Sequence, residues 1–191
     1  MMRIITGKAR GTKLATLAGE QTRPTAERVK EAVFSMLFEK LPDAEVLDLF
    51  AGSGQLGLEA LSRGAAHAVF CDSAREALTV VRSNAEKTRL NEQCEFVCAD
   101  ARTLLRRLKG TRGFDLVFLD PPYASGAIPS CLELLLAGGL LNSDARVVCE
   151  AAQAEDVFGG RDELKNAFTV LREVRYGAAY IMILTPREAT L

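Results

Sequence analysis

The chain has 191 residues, 48% apolar and 26% charged, with 24 Lys and Arg against 25 Asp and Glu for a net charge of −1. That length suits one domain with a full core, and the charge balance excludes a global electrostatic pull toward nucleic acid. No stretch approaches the roughly 18 apolar residues of a membrane span, and the basic start MMRIITGKARGTK has no long apolar run behind it, so a cytoplasmic protein without a signal peptide is expected.

In chain order, RIIT and TKLAT, separated by GKARG, predict a small hairpin. Residues 1–30 hold seven basic side chains against two acidic ones, which leaves the remainder at −6. A basic arm (Arg3, Lys8, Arg10, Lys13) on an acidic body points to a localised polyanion contact. RPTAERVKEAVFSMLFEKLP predicts a helix with Thr25 as N-cap, Val29, Val33, Met36 and Leu37 as its core-facing stripe, and Pro42 as its stop. From residue 45, strands and helices alternate: EVLDLF with GSGQLGLEALSRG, HAVFCD with SAREALTVVRSNAEKTRL, CEFVCA with ARTLLRRLKG, FDLVFL with SCLELLLAGG, then ARVVCE. FTVLREVRYG and AAYIMILT close the chain as two strands joined at Gly177. This alternation gives a parallel sheet with helices on both faces, and the final close pair adds one antiparallel strand. No repeat or linker divides residues 1–191, so one domain is expected, with 1–22 as an N-terminal extension and 23–191 as the core.

Cys71, Cys94, Cys98, Cys131 and Cys149 form no C-x-x-C pair, and His67 is the one histidine. No zinc site is expected, and Cys71, Cys98 and Cys149, in apolar strand runs, suit small core hydrophobes. His67 starts a strand and suits an edge or surface place. Triad chemistry has no support, because no serine accompanies that histidine.

In an open α/β sheet, ligands bind beyond the carboxyl ends of the strands. Four successive strand ends here carry an acid: Asp48, Asp72, Asp100 and Asp120. Any one of them suits a helix cap, but four at one rim suit capping less well. GSGQLG after the first strand matches G-x-G-x-x-G, a pattern of dinucleotide folds. Asp48 beside that loop would repel a pyrophosphate, however, and no second substrate domain is present. A phosphate-free adenosine ligand with a cationic amino acid end fits better, as in S-adenosylmethionine. Asp48 would face its ammonium directly or through water, Asp72 its ribose hydroxyls and Asp100 its adenine amine. Asp120-Pro-Pro-Tyr123 makes a stiff corner after the fourth strand, since each proline fixes its own φ and restricts the residue before it. There Asp120 and the Pro121 carbonyl would accept the two N–H bonds of an aromatic amine while Tyr123 stacks on its base. The catalysis expected is positioning for an in-line displacement, without a covalent adduct.

With these residues in view, the chain resembles the RsmD-type methyltransferases, which modify the N2 of a guanine in bacterial small-subunit (16S) ribosomal RNA. The resemblance rests on RIITGKARGTKL, TRPTAERVKEAVFSML, DLFAGSGQLGLEALSRGA, FDLVFLDPPY and the strand-five acid in VVCEA. It implies a seven-stranded Rossmann-like sheet with an N-terminal hairpin extension. It also implies S-adenosylmethionine as cofactor, with no metal. Asp48, Phe50, Gly52 and Gly54 would line the donor pocket, Asp72 would take the ribose, and Asp100 with Ala101 would meet the adenine. Asp120, Pro121, Pro122 and Tyr123 would hold the target base. Arg23, Pro24, Thr25 and Arg28 would border the pocket, and the basic arm would grip RNA phosphates of 16S rRNA in the small ribosomal subunit or its assembly intermediate. A monomer is expected. Aspartate stands at position 72 where the family usually has glutamate. DPPY alone also marks amino-methyltransferases of other substrates, such as DNA adenine or a protein glutamine.

Overall fold

The computed structural model describes residues 2–17 and 24–187, with the side chains of residues 24–26 and 124 outside that description. Seven strands form one sheet: β1 (Glu45–Asp48), β2 (His67–Asp72), β3 (Cys94–Cys98), β4 (Phe114–Leu119), β5 (Leu141–Ala151), β6 (Phe168–Tyr176) and β7 (Ala179–Pro186), in the order β3-β2-β1-β4-β5-β7-β6. β7 is antiparallel to both neighbours and the other paired strands run parallel, as the closing pair of segments predicted.

The central strands are apolar in both phases because both sheet faces are covered. Val46, Phe70, Leu116, Phe118 and Val148 point into one core with α1 (Pro24–Met36), α2 (Gln55–Ser62) and α3 (Arg75–Thr88). Leu47, Val69, Val117, Leu119 and Cys149 point into the other with α4 (Ala101–Leu108), α5 (Ala127–Ala137) and two short helices, α6 (Glu155–Phe158) and α7 (Asp162–Asn166). This period-two division decides which face each residue beyond a strand end will join.

Several expectations shift. α1 starts at Pro24, so Thr25 lies inside its first turn rather than at the N-cap. Proline suits that first position, since its missing N–H would have no helical partner. The buried apolar stripe is Val29, Val33 and Phe34 of α1 with Leu37 just past its end, whereas Met36 is 36% exposed on the other side. Cys98 is exposed at the end of edge strand β3, and Cys131 in α5 takes the buried role instead. His67 is partly exposed with its Nδ1 3.5 Å from Glu45 Oε2.

In the N-terminal extension, residues 2–17 form a loop closed by one antiparallel bridge, Arg3 with Lys13, rather than two full strands. Polar side chains of the core hold it down. Glu59, buried in α2, accepts the amides of Ile5 (2.8 Å) and Thr6 (3.0 Å) and pairs with Arg63 (2.8 Å) and Lys30 (3.4 Å). Lys30 also donates to the Arg3 carbonyl at 2.7 Å. Ser62 Oγ accepts from Ala9 and donates to Thr6, while Asn84 of α3 bonds both amide groups of Ala15 and the Ser53 carbonyl. Gly7 is required at this seam, because a Cβ there would lie 1.8 Å from the Ser62 carbonyl oxygen. Ile4 and Leu14 are thereby buried, and Arg3, Lys8, Arg10 and Lys13 are left exposed.

Burial lowers the Lys30 pKa and the Glu59 carboxylate opposes that shift. Removing Glu59 strands a buried ammonium and two arm amides. Glu59→Ala is therefore expected to cost about 3 kcal/mol in denaturant unfolding and to speed proteolysis of the arm selectively.

Candidate functional site

Strand order reverses between β1 and β4, and the crevice of such a sheet opens there, at the carboxyl ends. The β1–α2 loop crosses it with Gly52 (φ 53°) and Gly54 (φ 77°) in left-handed conformations. Gly57 lets α2 approach the sheet, since a Cβ there would come within 2.3 Å of the Phe70 ring. The Gly57 amide donates to Asp48 Oδ2 at 3.1 Å, so the last residue of β1 caps α2 from outside the helix. Asp72 spans two turns: Oδ2 accepts the Gly52 amide (3.0 Å) and Oδ1 the Ala74 amide (2.9 Å). Asp100 is the N-cap of α4 and accepts the Thr103 amide at 3.1 Å. Slight desolvation raises its pKa, but hydrogen bonds from Arg102 and Thr103 outweigh that and hold it below the usual carboxylate value.

A cavity of about 450 Å³ fills the crevice. Phe50, Gly52, Asp72, Asp100, Ala101 and the whole Asp120–Tyr123 corner line it, with Leu17 of the arm at its edge. Asp48 and Gly54 lie behind this wall rather than on it. The Asp48 carboxylate is drawn toward the Gly57 amide, and a Cβ on Gly54 would meet Val81 of α3 at 2.8 Å. Arg23 lies outside the described residues, as does the side chain of Thr25. The lining contains two carboxylates besides Asp120 and, among the described residues, no lysine or arginine. The α2 amide at Gly57 that would suit a phosphate is already taken by Asp48. The cavity therefore matches a polar, phosphate-free ligand.

A second cavity, of about 370 Å³, adjoins on the α1 and α2 side. Lys30, Gln55, Glu150 and Tyr176 line it, and Asp120 and Tyr123 are common to both cavities. The DPPY corner is thus the partition between them. Tyr123, 45% exposed, donates its hydroxyl to Glu150 Oε1 at 2.9 Å. Burial raises the Glu150 pKa, and burial together with the Glu150 charge raises that of Tyr123. Glu150 was visible in sequence only as an acid ending the fifth strand, and Lys30 and Tyr176 gave no signal, because their convergence depends on how α1 and the β6–β7 turn fold over the sheet. The nearby thiols suit no nucleophile: burial pushes that of Cys71 up to about 12.

The sheet order, the single antiparallel strand and the acid-lined crevice make this the Rossmann-like fold of the S-adenosylmethionine-dependent methyltransferases. The model of the family described as conserved hypothetical protein 95 matches residues 2–185, and the chain belongs to that family, the RsmD family. The YlbH protein of Bacillus subtilis strain 168 is 35% identical over 97% of this chain and 100% of its own length. The ribosomal RNA small subunit methyltransferase D of Haemophilus influenzae is 36% identical over 78% of each chain. The solved structure of the yhhF protein of Escherichia coli superposes with a TM-score of 0.83 at 30% identity, covering 97% of this chain and 98% of that one.

Burial raises the Asp48 carboxyl from 3.8 to about 7, with the Asp72 charge adding to the shift and the Gly57 and Phe50 amides opposing it. The folded protein thus keeps this proton where the unfolded chain has lost it, so Asp48 makes stability fall as pH rises from about 4 to about 7. Asp48→Asn is expected to remove that fall, worth at most about 4 kcal/mol, in urea unfolding curves compared across this range.

Proposed function

We propose that this chain transfers a methyl group from S-adenosylmethionine to the exocyclic N2 amine of a guanine in 16S ribosomal RNA, within the small ribosomal subunit or its assembly intermediate. The observation that carries this reading is the Asp120–Tyr123 corner shared by two cavities, one acid-lined and free of described cations, the other on the opposite side of the same acid and ring. The function borne by the Haemophilus influenzae relative's name supports an RNA substrate.

In the first cavity, Asp72 would hold the ribose hydroxyls, while Asp100 and Ala101 would meet the adenine and Phe50 would pack beside it. Asp48 and Gly54 act from behind, by shaping the loop that carries Gly52. At the partition, Asp120 and the Pro121 carbonyl would accept the N–H bonds of the target amine and aim its lone pair through the corner. The bound donor would supply a methyl group that replaces one N–H by N–CH3, its sulfur keeping the electrons of the broken bond, and Asp120 would take the proton that the nitrogen loses and pass it to solvent. Tyr123, anchored through its hydroxyl, would stack on the base, a contact worth about 1–3 kcal/mol. The prolines keep the acid and ring in fixed relation, so most of the catalytic effect is positioning. Arg3, Lys8, Arg10 and Lys13 would meet RNA phosphates, and the chain would work as a monomer.

Methyl transfer from labelled S-adenosylmethionine to small subunits lacking the modification, followed by nucleoside analysis, tests this reading. Wild type is expected to yield N2-methylguanosine, and Asp120→Ala to lose about 100-fold or more in kcat with donor affinity retained. Donor binding with no transfer to RNA would sink it. Replacing Lys8, Arg10 and Lys13 together by alanine should weaken RNA binding and make the logarithmic salt slope shallower by about two to three, whichever RNA sequence is used.

A further inference from the structure

We propose that Glu150 is the base-selecting residue of the second cavity: its carboxylate accepts the ring N–H that lies beside the exocyclic amine in guanine, and so excludes bases whose neighbouring ring nitrogen is itself an acceptor. The inference rests on the reading of the corner as a base-methylating site.

β4 and β5 run parallel with Leu119 opposite Cys149, so the next pair in register is Asp120 and Glu150. Neighbouring strands lie about 4.8 Å apart, which puts these two acids side by side at the rim. Phe118 and Val148 face the α1–α2 core and Leu119 and Cys149 the opposite one. The alternation therefore returns Asp120 and Glu150 to the α1–α2 side, where both line the second cavity. The Tyr123 hydroxyl engages Glu150 Oε1 at 2.9 Å and fixes how the carboxylate is turned. One residue thus ties the acid of β5 to the ring proposed to stack on the base.

Two adjacent acceptors suit one base edge. Guanine presents its amine next to N1–H, two donors in a row. Adenine and cytosine present their amine next to a bare ring nitrogen, an acceptor. A base of the second kind would set that lone pair against the Glu150 carboxylate. A site built to bond a substrate N–H rejects an analogue lacking it strongly, because its own polar group is then left without a partner.

The test compares wild type and Glu150→Gln, as full chains, on small subunits carrying either guanine or 2-aminopurine at the position mapped from the wild-type product. 2-Aminopurine keeps the exocyclic amine but has a bare N1. Wild type is expected to favour guanine by about 100-fold or more in kcat/KM. Glu150→Gln keeps the shape and adds a donor, so it should lose about 10–100-fold on guanine and bring the two substrates within about tenfold of each other. Unchanged S-adenosylmethionine affinity of the variant, by calorimetry, would show that the effect is not misfolding. Equal wild-type rates on the two bases, or an undiminished preference in Glu150→Gln, would overturn the proposal alone. No wild-type transfer to guanine would overturn the reading of the site and the proposal with it.

Discussion

The hydrogen bond from the Gly57 amide to the buried carboxylate of Asp48 sets the terms for the rest of the site. It links the end of β1 to the first turn of α2 and so fixes the path of the loop between them, where the left-handed glycines lie. It also occupies one of the unpaired amides with which a helix start attracts anions. With that amide already bonded, one of the donors a phosphate would use is taken, and the described lining offers no lysine or arginine in its place, which suits a phosphate-free ligand. Burial of the Asp48 carboxyl holds its proton to near neutral pH, and the Gly57 bond opposes that shift.

Above that floor, the same loop is tied to the N-terminal arm. Asn84 reaches from α3 to the Ser53 carbonyl on one side and to both amide groups of Ala15 on the other. Glu59 and Ser62 hold residues 5–9 in the same manner. The arm is thus a fixed part of the crevice edge, with Leu17 on its wall and its basic side chains turned outward. Burying charged and polar groups to anchor backbone is costly unless every member is bonded, and among the described residues no buried side-chain polar atom lacks a partner.

The corner after β4 owes its usefulness to two separate constraints. The prolines stiffen it, and the sheet alternation turns Asp120 toward α1 and α2, where β5 offers a second acid in register. A flexible acid at the same place would have to lose rotamer and backbone freedom on binding, and that loss would weaken its hold on a ligand.

Much of this was legible in the amino-acid order. The seven strands, the reversal at the end, the acids at four strand ends and the rigid corner follow from local rules: two-sided burial makes strands apolar, and proline limits its neighbours. The sequence by itself therefore determined the element order and the chemistry available at the rim. Only the tertiary structure decided which of those acids reach the crevice. Asp48 was pulled behind the wall by a helix amide, Asp100 was also committed to capping α4, and Glu150 was brought beside Asp120. Only the fold, likewise, made Glu59, Ser62 and Asn84 into anchors for a segment more than 50 residues away in the chain. The physical reason is common to all of them. A polar side chain's role depends on the partner that compensates its burial, and that partner is found across the fold rather than along the chain.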